Sequence, residues 1–148
     1  MNILVIDGQG GGVGRQLVEN IKKSFPRQQI TAVGTNALAA QAMLKAGADH
    51  AATGENAVVV GCRTADIIVG PVGIVIADSL WGEITPEMAR AVGQSRAMRI
   101  LLPMNLCSNY IAGAGRCTVS LLIEDCIAKI RSILEETENI GPKSGQIL

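Results

Sequence analysis

Five glycines fall within the seven residues 8–14, between an uninterrupted apolar run, Ile3-Leu4-Val5-Ile6, and a segment in which Val13, Leu17, Val18, Ile21 and Phe25 recur at helical spacing. The apolar run has the pattern of a strand covered on both faces, and Pro26 stops the helical pattern. A glycine-rich turn in this position predicts a βα unit whose helix begins at the end of a parallel strand. The unpaired N–H groups and dipole of such a helix start favour an anion, above all a phosphate. Glycine permits positive φ and close approach of backbone to a ligand, at a cost in chain entropy. A tight connection without any ligand is the competing reading of the same residues.

The rest of the chain repeats this alternation. A second strand is expected over residues 30–33, then a helix over 37–46 capped by Asn36 and closed by Gly47. Residues 48–52 read as a third strand. Val58-Val59-Val60 favours a strand locally, yet the crossover to the next parallel strand requires a helix over 56–65. Residues 66–70 give a fourth strand. Thr85, Pro86 and Glu87 supply a hydroxyl cap, a proline at the first helical position and a first-turn carboxylate. A fifth strand is expected over 99–102. The last helix starts near Thr118 and carries the stripe Val119, Leu122, Ile123, Cys126, Ile127, Ile130 and Leu134. These elements predict a three-layer α/β domain over residues 1–136, with a polar tail over 137–148. The open parallel sheet is Rossmann-like, ordered 3-2-1-4-5, and its ligand end lies where strand order reverses, between strands one and four.

Composition narrows the function. The chain has 148 residues, with Lys+Arg and Asp+Glu both numbering 13 and one each of Phe, Trp and Tyr. It therefore lacks the basic surplus and the stacking platform of a nucleic-acid binder. Mean hydropathy is +0.31, but the apolar run over 67–77 is too short for a membrane span and is broken by Gly70, Pro71 and Gly73. The first residues read directly as a strand, without the basic region of a signal peptide, so a cytoplasmic location is expected. Cys62, Cys107, Cys117 and Cys126 form no metal-ligand spacing and read as reduced thiols. Charged residues are 18% of the chain, against about 25% for average soluble domains. Residues 72–80 and Leu121 add further apolar surface, and a homo-oligomer, a dimer first, is the expected means of covering it.

Spacing sorts the nucleotide classes. Gly-x-Gly-x-x-Gly fails because its third glycine falls on Val13, whereas Gly8, Gly12 and Gly14 satisfy Gly-x-x-x-Gly-x-Gly. At those positions the turn resembles the cofactor loop of short-chain dehydrogenases, with Asp7 where that family has a small hydroxyl residue. The resemblance implies NAD or NADP as cofactor, held by Gly8, Gln9, Gly10, Gly11, Gly12, Val13 and Gly14. Thr35 and Asn36 are candidates for a ribose, and Gly70, Pro71 and Gly73 for the loop across the switch point. No Asp or Arg follows strand two, so the choice between the two cofactors stays open. The family's catalytic pair is a Tyr with a Lys four residues on. Here Tyr110 is followed at that distance by Ala114. Residues 11–16 are similar to the phosphate loop of partition ATPases, but Arg15 and Gln16 replace the Lys and hydroxyl residue that triphosphate hydrolysis requires. Over residues up to about 134 the chain resembles an uncharacterised family of small bacterial Rossmann-like proteins. The resemblance rests on residues 2–17 (NILVIDGQGGGVGRQL), 31–49 (TAVGTNALAAQAMLKAGAD), 66–88 (DIIVGPVGIVIADSLWGEITPEM) and 100–105 (ILLPMN).

Asp78, Ser79, Trp81, Glu83, Asn105, Asn109 and Tyr110 follow strands four and five, at the ligand end of the sheet. Asp78, after an apolar run, reads as a possible buried general base. Asn105 reads as a hydrogen-bond partner for a ligand, Trp81 and Tyr110 as pocket or subunit contacts, and His50 beside Asp49 as an edge-strand residue. The expected function is a binding or regulatory module for a small phosphate-bearing ligand, a nucleotide or dinucleotide. The alternative is a small NAD(P)-dependent oxidoreductase whose active site is completed across a homo-oligomer interface.

Overall fold

The computed structural model describes residues 1–104 and 108–141. Five parallel strands, β1 (Asn2–Asp7), β2 (Gln29–Gly34), β3 (His50–Thr53), β4 (Ile67–Pro71) and β5 (Met98–Leu102), form one sheet in the order β3-β2-β1-β4-β5. Helices α1 (Gly12–Ser24), α2 (Ala37–Lys45) and α5 (Val119–Ile140) cover one face, and α3 (Glu55–Thr64) and α4 (Pro86–Gln94) cover the other. Ile3 and Val5 of the central strand point into the first layer, while Leu4 and Ile6 point into the second. This two-sided burial is what the run without polar breaks foretold.

Local chemistry accounts for the helix ends. Asn36 Oδ1 accepts from Ala39 N at 2.9 Å, Thr85 Oγ1 from Met88 N at 3.1 Å, and Thr118 Oγ1 from Leu121 N at 3.3 Å. The valine-rich stretch is helical because Val58 and Cys62 face the core and the crossover leaves no room for a sixth strand. Two expectations are revised. Helix α5 runs on to Ile140, so residues 137–140 continue the helix that was expected to end by 136. Residues 72–80 are not a free apolar surface: a short 3-10 helix (Val72–Val75) follows β4, and Ile74 and Leu80 are buried in the core.

Residues 76–85 then make a compact strap across the C-terminal end of the sheet. Asp78 N donates to Ile84 O at 2.7 Å, Gly82 N to Asp78 O at 3.1 Å, and Ser79 Oγ to Gly73 O. Asp78, Leu80 and Trp81 all hold positive φ (63, 54 and 58°), strained for side-chain-bearing residues. Buried Leu80 and Ile84 fix the strap on both sides of Glu83.

Candidate functional site

The turn between β1 and α1 is built around Asp7. Its carboxylate is buried, with Oδ1 accepting from Gly8 N at 2.8 Å and Oδ2 from Gly14 N at 2.6 Å. Its carbonyl accepts from Thr35 N at 3.0 Å, tying the turn to the end of β2. Burial pushes the Asp7 carboxyl above the usual carboxylate range. The N–H groups of Gly14, Gly8 and Val13 pull it back down, and the neighbouring Glu83 carboxylate adds to the rise. An internal carboxylate thus occupies part of the anion position at the start of α1. In the sequence Asp7 stands out as a departure from the dehydrogenase pattern. The departure is the residue that shapes the turn.

The five glycines divide into two kinds. A Cβ at Gly8 would lie 2.7 Å from Glu83 Oε2 and 2.8 Å from Thr35 Oγ1, and one at Gly14 would lie 2.7 Å from Asp7 Cβ. Gly11 caps α1 in the left-handed region (φ 72°) and would meet the Ala39 backbone at 2.7 Å. These three are required by the protein's own packing. Gly10 and Gly12 are exposed, and a Cβ on either meets nothing within 4 Å. Gly11→Ala is therefore expected to lower stability by about 2 kcal/mol, combining left-handed strain with the clash, as read by thermal denaturation.

The N-cap residue of α1, Gly11, has no side chain to cap it, and the first turn carries no acidic residue of its own. Gly8 N and Gly14 N are taken by Asp7, Gln9 N by Glu83, and Gly11 N donates to Gly8 O at 3.0 Å. The turn's open side is Gly10 and Gly12, with Val13 half-buried behind them and the exposed Arg15 on the first helical turn. Thr35 and Asn36 do reach this turn. Asn36 Nδ2 donates to Gln9 O at 2.8 Å, and Thr35 Oγ1 is a buried hydroxyl oxygen without a partner, beside Gly8. Gly70 and Pro71 lie buried within β4, where Gly70 lets the Ile6 carbonyl approach, and Gly73 sits beneath Ser79 and Leu80. Gly70, Pro71 and Gly73, expected as the loop across the switch point, are buried instead, and the strap covers that end of the sheet, with Leu80 packed near both Gly73 and Gly8.

The remaining candidates are placed differently. Asp78 is exposed, so it is not the buried acid of the site; Asp7 is. Asp49 pairs with Lys22 at 2.9 Å and accepts from Ile30 N at 2.8 Å, which holds its carboxyl below the usual range. His50 is exposed beside it. Trp81 and Tyr110 are almost fully exposed, at 96% and 89%. Asn105 and Cys107 lie outside the described residues. Cys62 and Cys126 are buried, with their thiols pushed up to about 11 by burial, and Cys117 is exposed. Among the described residues no group of three His, Cys, Asp or Glu is placed to hold a metal, and no helix is long and apolar enough to cross a membrane. A cleft between α3 and α4 is lined by Arg63, Arg96 and an Arg90–Glu87 ion pair, with Arg63 in the last turn of α3, where a cation complements the helix dipole.

Fold and site together define a Rossmann-like α/β protein with a glycine-rich turn at the β1–β4 switch point. The chain belongs to the family described as domain of unknown function DUF3842, whose family model matches residues 2–135. No curated protein and no solved structure matches it.

Proposed function

We propose that the outer side of the turn, formed by Gly10, Gly12 and Val13 at the start of α1, binds the phosphate of a nucleotide. The observation that carries this reading is the division of the glycines: two are exposed and serve no internal contact, at a helix start whose N-cap residue, Gly11, has no side chain. Arg15, on the same turn of α1, adds a cation that its partner Glu19, 3.4 Å away, holds only at the surface. NAD or NADP is the ligand this reading favours, with the sugar toward Thr35 and Asn36. The role is binding or regulation. Asp7, the buried acid of the turn, already accepts two backbone N–H groups, which suits fixing the turn's shape and gives no support to the oxidoreductase alternative.

Calorimetric titration with NAD, NADP, AMP and coenzyme A tests the reading. Saturable heat with at least one of them is expected, and no binding by any of them overturns it. The buried thiols fit a reducing compartment such as the cytoplasm. The low charged fraction, 18%, remains the ground for a homodimer, since the exposed Leu38 and Leu44 of α2, Met98 of β5 and Leu121 of α5 lie on separate elements. Light scattering should then give twice the chain mass of 15.4 kDa, and the single-chain mass would contradict the dimer.

A further inference from the structure

In sheets of this topology an acid at the end of the second strand reads the hydroxyls of the sugar next to the bound phosphate. Here β2 ends at Gly34 and is followed by Thr35 and Asn36, neither of which is acidic. The carboxylate arrives from the strap. Glu83 Oε2 accepts from Gln9 N at 2.6 Å, and Oε1 accepts from Asn36 Nδ2 at 2.9 Å. One carboxylate thus bridges the glycine turn and the end of β2, across 74 and 47 residues of chain. Glu83 is only half-buried, and each of its oxygens keeps a lone pair for a further donor. Buried Leu80 and Ile84 on either side hold it in place.

Two carboxylates meet at this point. Asp7 and Glu83 sit on successive backbone amides, Gly8 N and Gln9 N, and neither carboxylate enters an ion pair among the described residues. Thr35 Oγ1, unpartnered but enclosed, lies beside Gly8, so Glu83 is the acceptor that reaches the surface. A ligand hydroxyl finds the open side of the Glu83 carboxylate here, while a second phosphate meets that carboxylate with the buried Asp7 behind it. We infer that Glu83 is a specificity-determining residue that selects a nucleotide with a free ribose diol and rejects one phosphorylated on that sugar. The inference rests on the proposed phosphate site and deepens it by naming the sugar chemistry and the residue that reads it.

Two ligand pairs that differ only by a 2′-phosphate test it: AMP against adenosine 2′,5′-bisphosphate, and NAD against NADP. The wild-type protein should prefer the unphosphorylated member of a pair by about tenfold or more, the size of one like-charge contact near a protein surface. Glu83→Gln, of the same shape, should bring that ratio toward one, with a modest fall in melting temperature because its amide group must face a donor at either Gln9 N or Asn36 Nδ2. Equal binding of both members by the wild-type protein, which needs no variant, overturns the inference, as does an unchanged ratio in Glu83→Gln. Both results leave nucleotide binding itself standing. Failure of all four ligands to bind the wild-type protein overturns the inference, and failure of coenzyme A as well overturns the phosphate site.

Discussion

Asp7→Ala is expected to lower the unfolding free energy by about 3 kcal/mol. The substitution leaves the N–H groups of Gly8 and Gly14 without acceptors at positions where both residues are buried, and each such loss costs about 1–3 kcal/mol. Asp7→Asn keeps one acceptor oxygen and removes a buried charge, so it should cost only about 1 kcal/mol. The pH dependence separates the two effects. Because burial raises the folded-state value above the ordinary 3.8, the native protein binds this proton more tightly than the unfolded chain does. The contribution of Asp7 to stability therefore falls as pH rises from the ordinary carboxylate value through the raised one. In urea titrations the advantage of wild type over Asp7→Asn should shrink across that window and level off above it. An advantage that grows with pH would mean that the carboxyl is instead stabilised in its charged form.

Gly12→Val should reduce nucleotide affinity at least about a hundredfold, the loss of close phosphate contacts worth ~3 kcal/mol. It should leave stability unchanged or slightly raised. Gly12 is the first residue of α1, has no positive φ, and its Cβ would point into open space, so a side chain harms nothing but a ligand. Gly11→Ala gives the opposite pattern, a loss of stability at a residue that faces α2. Calorimetry and thermal melts on both variants distinguish the ligand-facing glycines from the structural ones. A Gly12→Val protein that binds nucleotide as the wild type does would exclude the turn as the phosphate site.

The frame of the fold was legible because its signals are local. The apolar run of β1, the Asn36 and Thr85 caps, and the stripe of α5 each lie within a few residues of one another and specify their elements directly. The helix over Glu55–Thr64 needed one non-local rule, that a parallel crossover requires a helix, to override the preference of Val58-Val59-Val60. The site was legible only in outline. Glycine spacing marked the turn, but which glycines are packed and which stay open depends on Thr35, Ala39, Met43 and Glu83, which reach the turn from other elements. The missing acid after β2 illustrates the same limit. It is present as Glu83, delivered by a strap whose backbone holds positive φ at three residues that no sequence pattern marks for it. Introducing an acid at Asn36 would consequently set a second carboxylate against Glu83 and remove the amide that holds it. Residues 72–80 misled for a related reason: their apolar side chains cover the protein's own sheet end.

The most direct measurement is a nuclear magnetic resonance titration of the labelled protein with AMP or NAD, following each backbone amide. The phosphate site predicts saturable shifts centred on Gly10, Gly12 and Val13, with smaller ones at Gln9 and Asn36 where the sugar meets Glu83. Shifts confined elsewhere, for example to the arginine-lined cleft between α3 and α4, or no shifts at all, would contradict it.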